Sequence, residues 1–245
     1  MPSHASNVPN VSGSRPLAQA LIALAGTPED ASGIDERLAV IAGLAVDRVT
    51  AVAYASITGV RGEEYTTVAA SSDVARAVDE AQYTDGAGPC VQALHDGEPV
   101  AVPQIGAMMR WPRFRDTASD LGLRASVSLP LYVGSGGAVA VLNLYGRDHE
   151  AIAPLIIAVW SVYDPARPLP QLDGDGSVLD LGAVELVEGF AEAVAVRATI
   201  LTALSMIMVS RRCKSADAYT MLRLFAAGAG TDLAAAAAAV IAHSG

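Results

Sequence analysis

Cysteine is scarce in this 245-residue chain. Cys90 and Cys213 are the two present, too few for a disulfide framework or an all-cysteine zinc site. Charge is also sparse: charged residues make up 17% against 52% hydrophobic, which excludes a disordered chain held open by self-repulsion. Long hydrophobic runs are missing. The longest uncharged stretch, Ala125 to Gly146, is cut by Pro130 and by the turn Gly134 to Gly137, so a membrane-spanning segment is not expected there. The opening MPSHASNVPNVSGSRP has no apolar segment behind a basic start, so a secretory signal is not expected either. Reduced thiols and a cytoplasmic location are the resulting expectation.

Positive charge is in deficit overall, with a formal net of −10. That excludes a nonspecific nucleic-acid coat and a general binder of anionic membranes. The deficit is uneven. Residues 191–245 hold Arg197, Arg211, Arg212, Lys214 and Arg223 against Glu192, Asp217 and Asp232, a net of +2. The other 190 residues hold 11 basic and 23 acidic side chains, a net of −12. Such asymmetry points to two regions with different partners.

Residues 1–15, rich in Ser, Asn and Pro, read as a disordered tail. Pro16–Ala25 and Asp35–Val46 carry apolar stripes at helical spacing. Thr50–Thr58 and Tyr65–Ala70 read as strands joined by a turn at Gly59–Gly62. Ser72–Ala81 is a helix capped by Ser72 or Asp73, and Cys90–His95 is a short helix stopped by Gly97. A short strand at Glu98–Val102 and a helix at Trp111–Leu121 precede a hairpin of Arg124–Val133 and Ala138–Tyr145. Strand neighbours lie close in sequence, so the fold class is α+β: helices against an antiparallel sheet. Residues 148–178 read as an irregular insertion or linker, apolar at first and then dense in Pro and Gly.

From Leu179 the pattern changes. Leu179, Ala183, Leu186, Phe190, Ala193, Arg197, Ile200, Leu204 and Ile207 alternate steps of four and three, an a/d seam interrupted by Arg197. The seam needs a partner: a second copy, one of the first two helices of this chain, or a bundle of both. Arg197 costs stability there unless it reaches solvent or a carboxylate such as Glu192. Ser215 caps a further helix over Ala216–Ala226, Gly228 and Gly230 break it, and Thr231 caps an Ala-rich helix over Leu233–Ala242.

The segments GAGPCVQALHDGEPVAV, WPRFRDTASDLGLRASVSLPLYV and GGAVAVLNLYGR resemble a GAF domain of the actinobacterial regulatory type. The run ATILTALSMIMVSRRCKSADAYTMLRLFAAGAGTDLAAAAAAVI resembles an ANTAR domain, the RNA-binding module of transcription antiterminators. The ANTAR pattern is matched by Ala203, Ile207 and Met208, by Ala218–Tyr219 and by Leu222. It is not matched at Leu204–Ser205, where lysine then glycine is usual, nor at Gly230–Thr231–Asp232, where basic residues are common. The resemblance implies a GAF-like sensor over 16–178, then a long helix leading into an ANTAR-like unit over 179–245. It implies a homodimeric, signal-responsive regulator that binds hairpins in nascent RNA and promotes antitermination, with no membrane partner and no cofactor.

Arg211, Arg212, Lys214 and Arg223 are the cations available for phosphates, with Tyr219 beside them for base stacking. The bland alternatives are cations that favour a helix C-terminus and a tyrosine in the core. Tyr54, Trp111, Arg124, Ser126, Ser128 and Asn143 are candidates to line a pocket on the sheet of the sensor. Cys90 and His95, five apart, fall on different helix faces, so joint metal ligation and Cys–His activation are both disfavoured. No phosphate-binding glycine loop, metalloprotease motif or nucleophile elbow occurs, and neither metal nor catalytic residues are assigned. The alternative reading is a dimeric ligand- or protein-binding switch that has lost RNA recognition. A methionine sulfoxide reductase using Cys90 ranks third.

Overall fold

The structure is a computed structural model, and it describes residues 15–164 and 179–244. The tail expected over 1–15, apart from Arg15, and the Pro/Gly-dense stretch 165–178 lie outside the described residues. Two helices come first, α1 (Pro16–Ala25) and α2 (Ile34–Arg48). Strands β1 (Tyr54–Arg61) and β2 (Glu64–Ala70) follow, then helices α3 (Asp73–Asp85) and α4 (Pro89–Asp96). Next are β3 (Val100–Val102), α5 (Pro112–Asp120), β4 (Ala125–Tyr132), β5 (Ala138–Gly146) and α6 (His149–Tyr163). The chain closes with α7 (Leu181–Arg211), α8 (Ser215–Ala229) and α9 (Leu233–Ser244).

All five strands form one antiparallel sheet in the order β2-β1-β5-β4-β3. Strand alternation sorts the side chains onto two faces. Ala55, Ile57, Val127, Leu129, Leu142 and Leu144 join α1, α2, α6 and the first half of α7 in the main apolar core. Ser56, Thr58, Ser126, Ser128, Asn143 and Tyr145 point the other way, toward the layer made by α3, α4 and α5. The expected first strand begins four residues late, at Tyr54, and runs on through Gly59. A Cβ at Gly59 would meet Val68 Cγ2 at 3.0 Å, so a bare backbone lets the turn move on to Gly62. Pro154 does not break its segment: it sits inside α6, six residues from the start, where only one ladder bond is lost.

The seam helix finds its partner within the chain. Ala183, Leu186, Phe190 and Ala193 of α7 are buried in the main core with α1, whereas Ile200 and Leu204 bury with α8 and α9 in a separate cluster. The border expected at 178/179 thus precedes a helix that both cores share. Close contact with α1 and with the end of α2 explains two glycines in α7. A Cβ at Gly189 would lie 2.5 Å from Ala18 Cα, and one at Gly182 would lie 1.8 Å from the Arg48 carbonyl oxygen.

Between these glycines Glu185 is buried, and its carboxylate accepts the backbone N–H groups of Leu17 (2.7 Å) and Ala18 (3.3 Å) and the Arg48 Nε (2.6 Å). It caps the N-terminus of α1, whose own N-cap residue, Arg15, makes no side-chain cap. Arg197, expected to need solvent or a carboxylate such as Glu192, finds a carbonyl and a ring instead. Its Nε donates to the Gly136 carbonyl at 2.7 Å, and its guanidinium lies 4.4 Å from the Tyr132 ring centroid.

By length and composition α7 is the one described helix able to cross a membrane. Its N-terminal half is packed into the main core around the buried Glu185.

Candidate functional site

Two places gather functional groups. The first is a closed polar cluster between the sheet and α3. Ser72 caps α3, its Oγ accepting the Ala75 N–H, and the helix turns Ala75, Val78, Asp79 and Gln82 inward. An acid and an amide therefore stand on an otherwise apolar stripe. Asp79 is fully buried, and among the described residues it is in no ion pair, though the Arg76 charge acts on it. Its Oδ1 accepts from Tyr145 Oη (2.7 Å), Ser56 Oγ (2.9 Å) and Asn143 Nδ2 (3.3 Å), and its Oδ2 from Thr67 Oγ1 (3.0 Å).

The cluster extends outward from there. Asn143 also donates to Thr58 Oγ1 at 2.8 Å and accepts from Ser128 Oγ at 2.9 Å. Tyr83 hydroxyl bonds Thr58 and Thr67, each at 2.9 Å, and its ring stacks on Tyr65. Burial pushes the Asp79 carboxyl up to about 6, with the donor hydroxyls pulling the other way. Burial first, and the Asp79 charge second, push the Tyr83 and Tyr145 hydroxyls and the Cys90 thiol well above their usual ranges. Cys90 is buried, and a thiol held protonated there is a poor nucleophile.

The six pocket candidates divide. Ser128 and Asn143 belong to this network. Ser126 is buried beside it, across the ladder from Tyr145, and its hydroxyl has no hydrogen-bond partner among the described residues. Tyr54 stands half-buried at the edge, its hydroxyl accepting Arg147 Nη2 at 2.6 Å. Trp111, the N-cap residue of α5, packs at the border of the adjoining apolar cluster beneath the Arg110 guanidinium. Arg124 is exposed, and only its backbone pairs inward, so its side chain is not brought to the cluster. Asp79, Gln82, Tyr83, Tyr145, Ser56, Thr58 and Thr67 were not anticipated. The signal available was Asp79 and Gln82 at core positions of a helical stripe, and Ser56, Thr58 and Asn143 alternating with large apolar residues.

The second place is the corner where α7 meets α8. Arg211, Arg212 and Lys214 are exposed there, and none is in an ion pair among the described residues. Arg212 ends α7 in the left-handed conformation (φ 52°). Tyr219 and Arg223 are placed differently. Tyr219 is buried at 8% exposure, in the small core of Ile200, Ala203, Leu204, Leu222 and Leu233. Arg223 is ion-paired with Asp30 at 2.8 Å and lies over the Tyr219 ring. The five RNA candidates therefore split into three free cations and a tyrosine–arginine pair turned toward the sensor. Among the described residues no group of His, Cys, Asp or Glu is arranged to hold a metal ion.

A polar cluster thus lies under α3 on one face of a five-stranded antiparallel sheet, with helices on the other face. The sequence profile of the GAF domain family matches residues 31–158, and the chain belongs to that family. No curated protein matches the chain. Among solved structures, it resembles the domain of a protein described as a two-component sensor histidine kinase from Sinorhizobium meliloti 1021. That likeness has 13% identity and a TM-score of 0.37, over 76% of this chain and all of the other.

Proposed function

We propose that the chain is a signal-responsive regulator whose GAF domain senses a small molecule or partner and whose C-terminal three-helix unit binds hairpins in nascent RNA to favour antitermination. The observation that carries the RNA part is the free triad Arg211, Arg212 and Lys214. Three neighbouring cations, unpaired among the described residues, offer a seat for phosphates at a helix corner in a chain that is otherwise strongly acidic. The resemblance of residues 198–241 to an ANTAR domain supports the same reading. Two copies acting together would double the available charge. Val209, 80% exposed on the second half of α7, leaves apolar surface for a helix-mediated homodimer.

The sensing part rests on the cluster around Asp79. A buried carboxylate within reach of four donors, beside the unsatisfied Ser126 hydroxyl, can exchange partners with a polar ligand or a proton. Binding rather than catalysis is the proposed role, because the Cys90 thiol is buried and held protonated. A cytoplasmic site of action follows from this reading. The second reading, a dimeric GAF switch without RNA recognition, is favoured by the engagement of Tyr219 and Arg223 with the sensor and by the departures at Leu204–Ser205 and Gly230–Asp232.

The test is a gel shift of the full chain with a labelled pool of stem–loop RNAs. A retarded complex that disappears in Arg211→Ala/Arg212→Ala supports the first reading. Absence of a complex supports the second, and a complex unaffected by the double variant overturns the assignment of Arg211 and Arg212 as its phosphate seat.

A further inference from the structure

The three-helix unit has its own core, yet it is not free of the sensor. Two sensor loops grip it. One is the α1–α2 loop, where the Glu29 backbone N–H donates to the Tyr219 hydroxyl at 3.2 Å and Asp30 pairs with Arg223. The other is the β4–β5 turn. Gly134 is bonded to the Thr27 carbonyl at 2.7 Å, and a Cβ on it would meet Leu233 Cδ1 at 2.5 Å and Tyr219 Oη at 2.8 Å. A Cβ on Gly136 would meet Leu201 Cδ2 at 2.7 Å, and the Gly136 carbonyl receives Arg197. The turn is thus held beneath α7, α8 and α9 together, against bare backbone that no larger residue could offer.

We propose that these contacts form an autoinhibitory latch, which holds the C-terminal unit on the sensor and withholds Tyr219 and Arg223 from RNA. The proposal rests on the RNA reading above for the consequence of opening. The Tyr219 hydroxyl and the Arg223 guanidinium are groups of that unit which could pair with an unstacked base, and both are spent on the α1–α2 loop. The grip is light enough to open. Its ion pair is exposed on both sides, the tyrosine bond is a single neutral one, and the remainder is the Arg197 bond to the Gly136 carbonyl with apolar contact against a turn.

Opening need not unfold either core. The small cluster of Ile200, Ala203, Leu204, Leu222 and Leu233 is complete without the sensor, and Val196 lies between the two clusters as the pivot region of α7. The latch also has a line to the polar cluster. The gripped turn joins β4 and β5, the strands that carry Ser128, Asn143 and Tyr145. A ligand that rearranges Asp79 and its donors shifts the hairpin whose other end is the latch seat, and an effector can open it only through its difference in affinity for the two states.

Arg197→Ala is the diagnostic variant. It deletes a cation, so a simple electrostatic account has it bind RNA less well. It also releases the β4–β5 turn, so the latch has it bind better. Asp30→Asn, at an exposed site, is the second variant and protects the test if the first fails to fold. Two quantities are measured on the full chain: hydrogen–deuterium exchange of the 27–33 amides, and affinity for a labelled pool of stem–loop RNAs with randomised loops. The latch predicts that exchange rises about tenfold in both variants, and that RNA affinity rises about fivefold or more.

Unchanged exchange overturns the latch. So does raised exchange with measurable but equal or weaker RNA affinity in Arg197→Ala, an outcome that leaves the RNA reading intact. Raised exchange with no RNA complex from any of the three proteins overturns the masking through the reading on which it depends.

Discussion

The two halves of α7 are one continuous helix built to opposite rules. The first half is closed: Gly182 and Gly189 admit other backbone, Glu185 is buried as the cap of α1, and Phe190 fills the main core. The second half is open. Thr199, Thr202 and Ser205 turn their hydroxyls back onto carbonyls one turn earlier, Val209 is 80% exposed, and the helix ends at unpaired arginines. Glycine that would weaken an exposed helix is tolerated where neighbouring backbone comes within contact of it. Small polar residues serve where the surface must stay available. The lesson is that a single helix can be a structural wedge at one end and an exposed arm at the other, with no linker between the two cores it joins.

The largest expected effect breaks the sensor side of the comparison. The Asp79 carboxyl holds its proton more tightly when folded (about 6) than its ordinary value of 3.8. The native state is therefore favoured where the group is protonated. This contribution is complete below pH about 4, is lost as pH rises to about 6, and stays lost above. It amounts to about 3 kcal/mol across the window. In Asp79→Asn the amide oxygen can still accept from Tyr145 and Ser56, and the amide nitrogen can donate to Thr67. The difference in stability between wild type and variant, followed by urea denaturation from pH 3.5 to 7.5, should shift in favour of the variant by about that amount as pH rises. A flat difference would contradict the assignment.

The next effect sets the two helical environments against each other with one substitution. Gly189→Ala drives a methyl toward Ala18 Cα, and overpacking of this kind costs about 2 kcal/mol. Gly228→Ala in α8 meets nothing within 4 Å and should raise stability by about 1 kcal/mol, because alanine is the better helix former. Thermal denaturation of the two variants should move in opposite directions. The smallest effect separates function from folding at the exposed corner. Arg212 adopts a left-handed conformation that glycine takes without penalty, so Arg212→Gly should leave stability unchanged or raise it by up to about 1 kcal/mol. RNA affinity should fall at the same time.

Much of the fold was legible in the sequence. Period-two alternation gave the β4–β5 hairpin within a residue, and Pro16, Ser72, Gly97 and Gly230 punctuated helices where their backbone chemistry requires. The seam partner was not legible, since a heptad pattern reports a need for a partner and not its identity. The identity depended on Gly182 and Gly189, whose meaning appears only once α1 and α2 lie against them. The candidate site was half legible. Ser128 and Asn143 were readable as inward polar residues, but Asp79 looked like an ordinary helix carboxylate, because its burial is decided by strands many residues away. Tyr219 and Arg223 were legible as a pair of suitable chemistry, whereas their engagement with Glu29 and Asp30 rests on contacts across some 190 residues of chain.

The central claim is that the exposed corner of the C-terminal unit reads RNA by its cations. The most direct measurement is the salt dependence of binding to a stem–loop RNA pool, comparing the wild type with Arg211→Ala/Arg212→Ala/Lys214→Ala. With about 0.7 counterions released per phosphate contact on single-stranded RNA, the account predicts a log–log slope steeper by about 2 in the wild type than in the variant. Equal slopes in the two proteins, or no RNA binding at low salt in either, would contradict it.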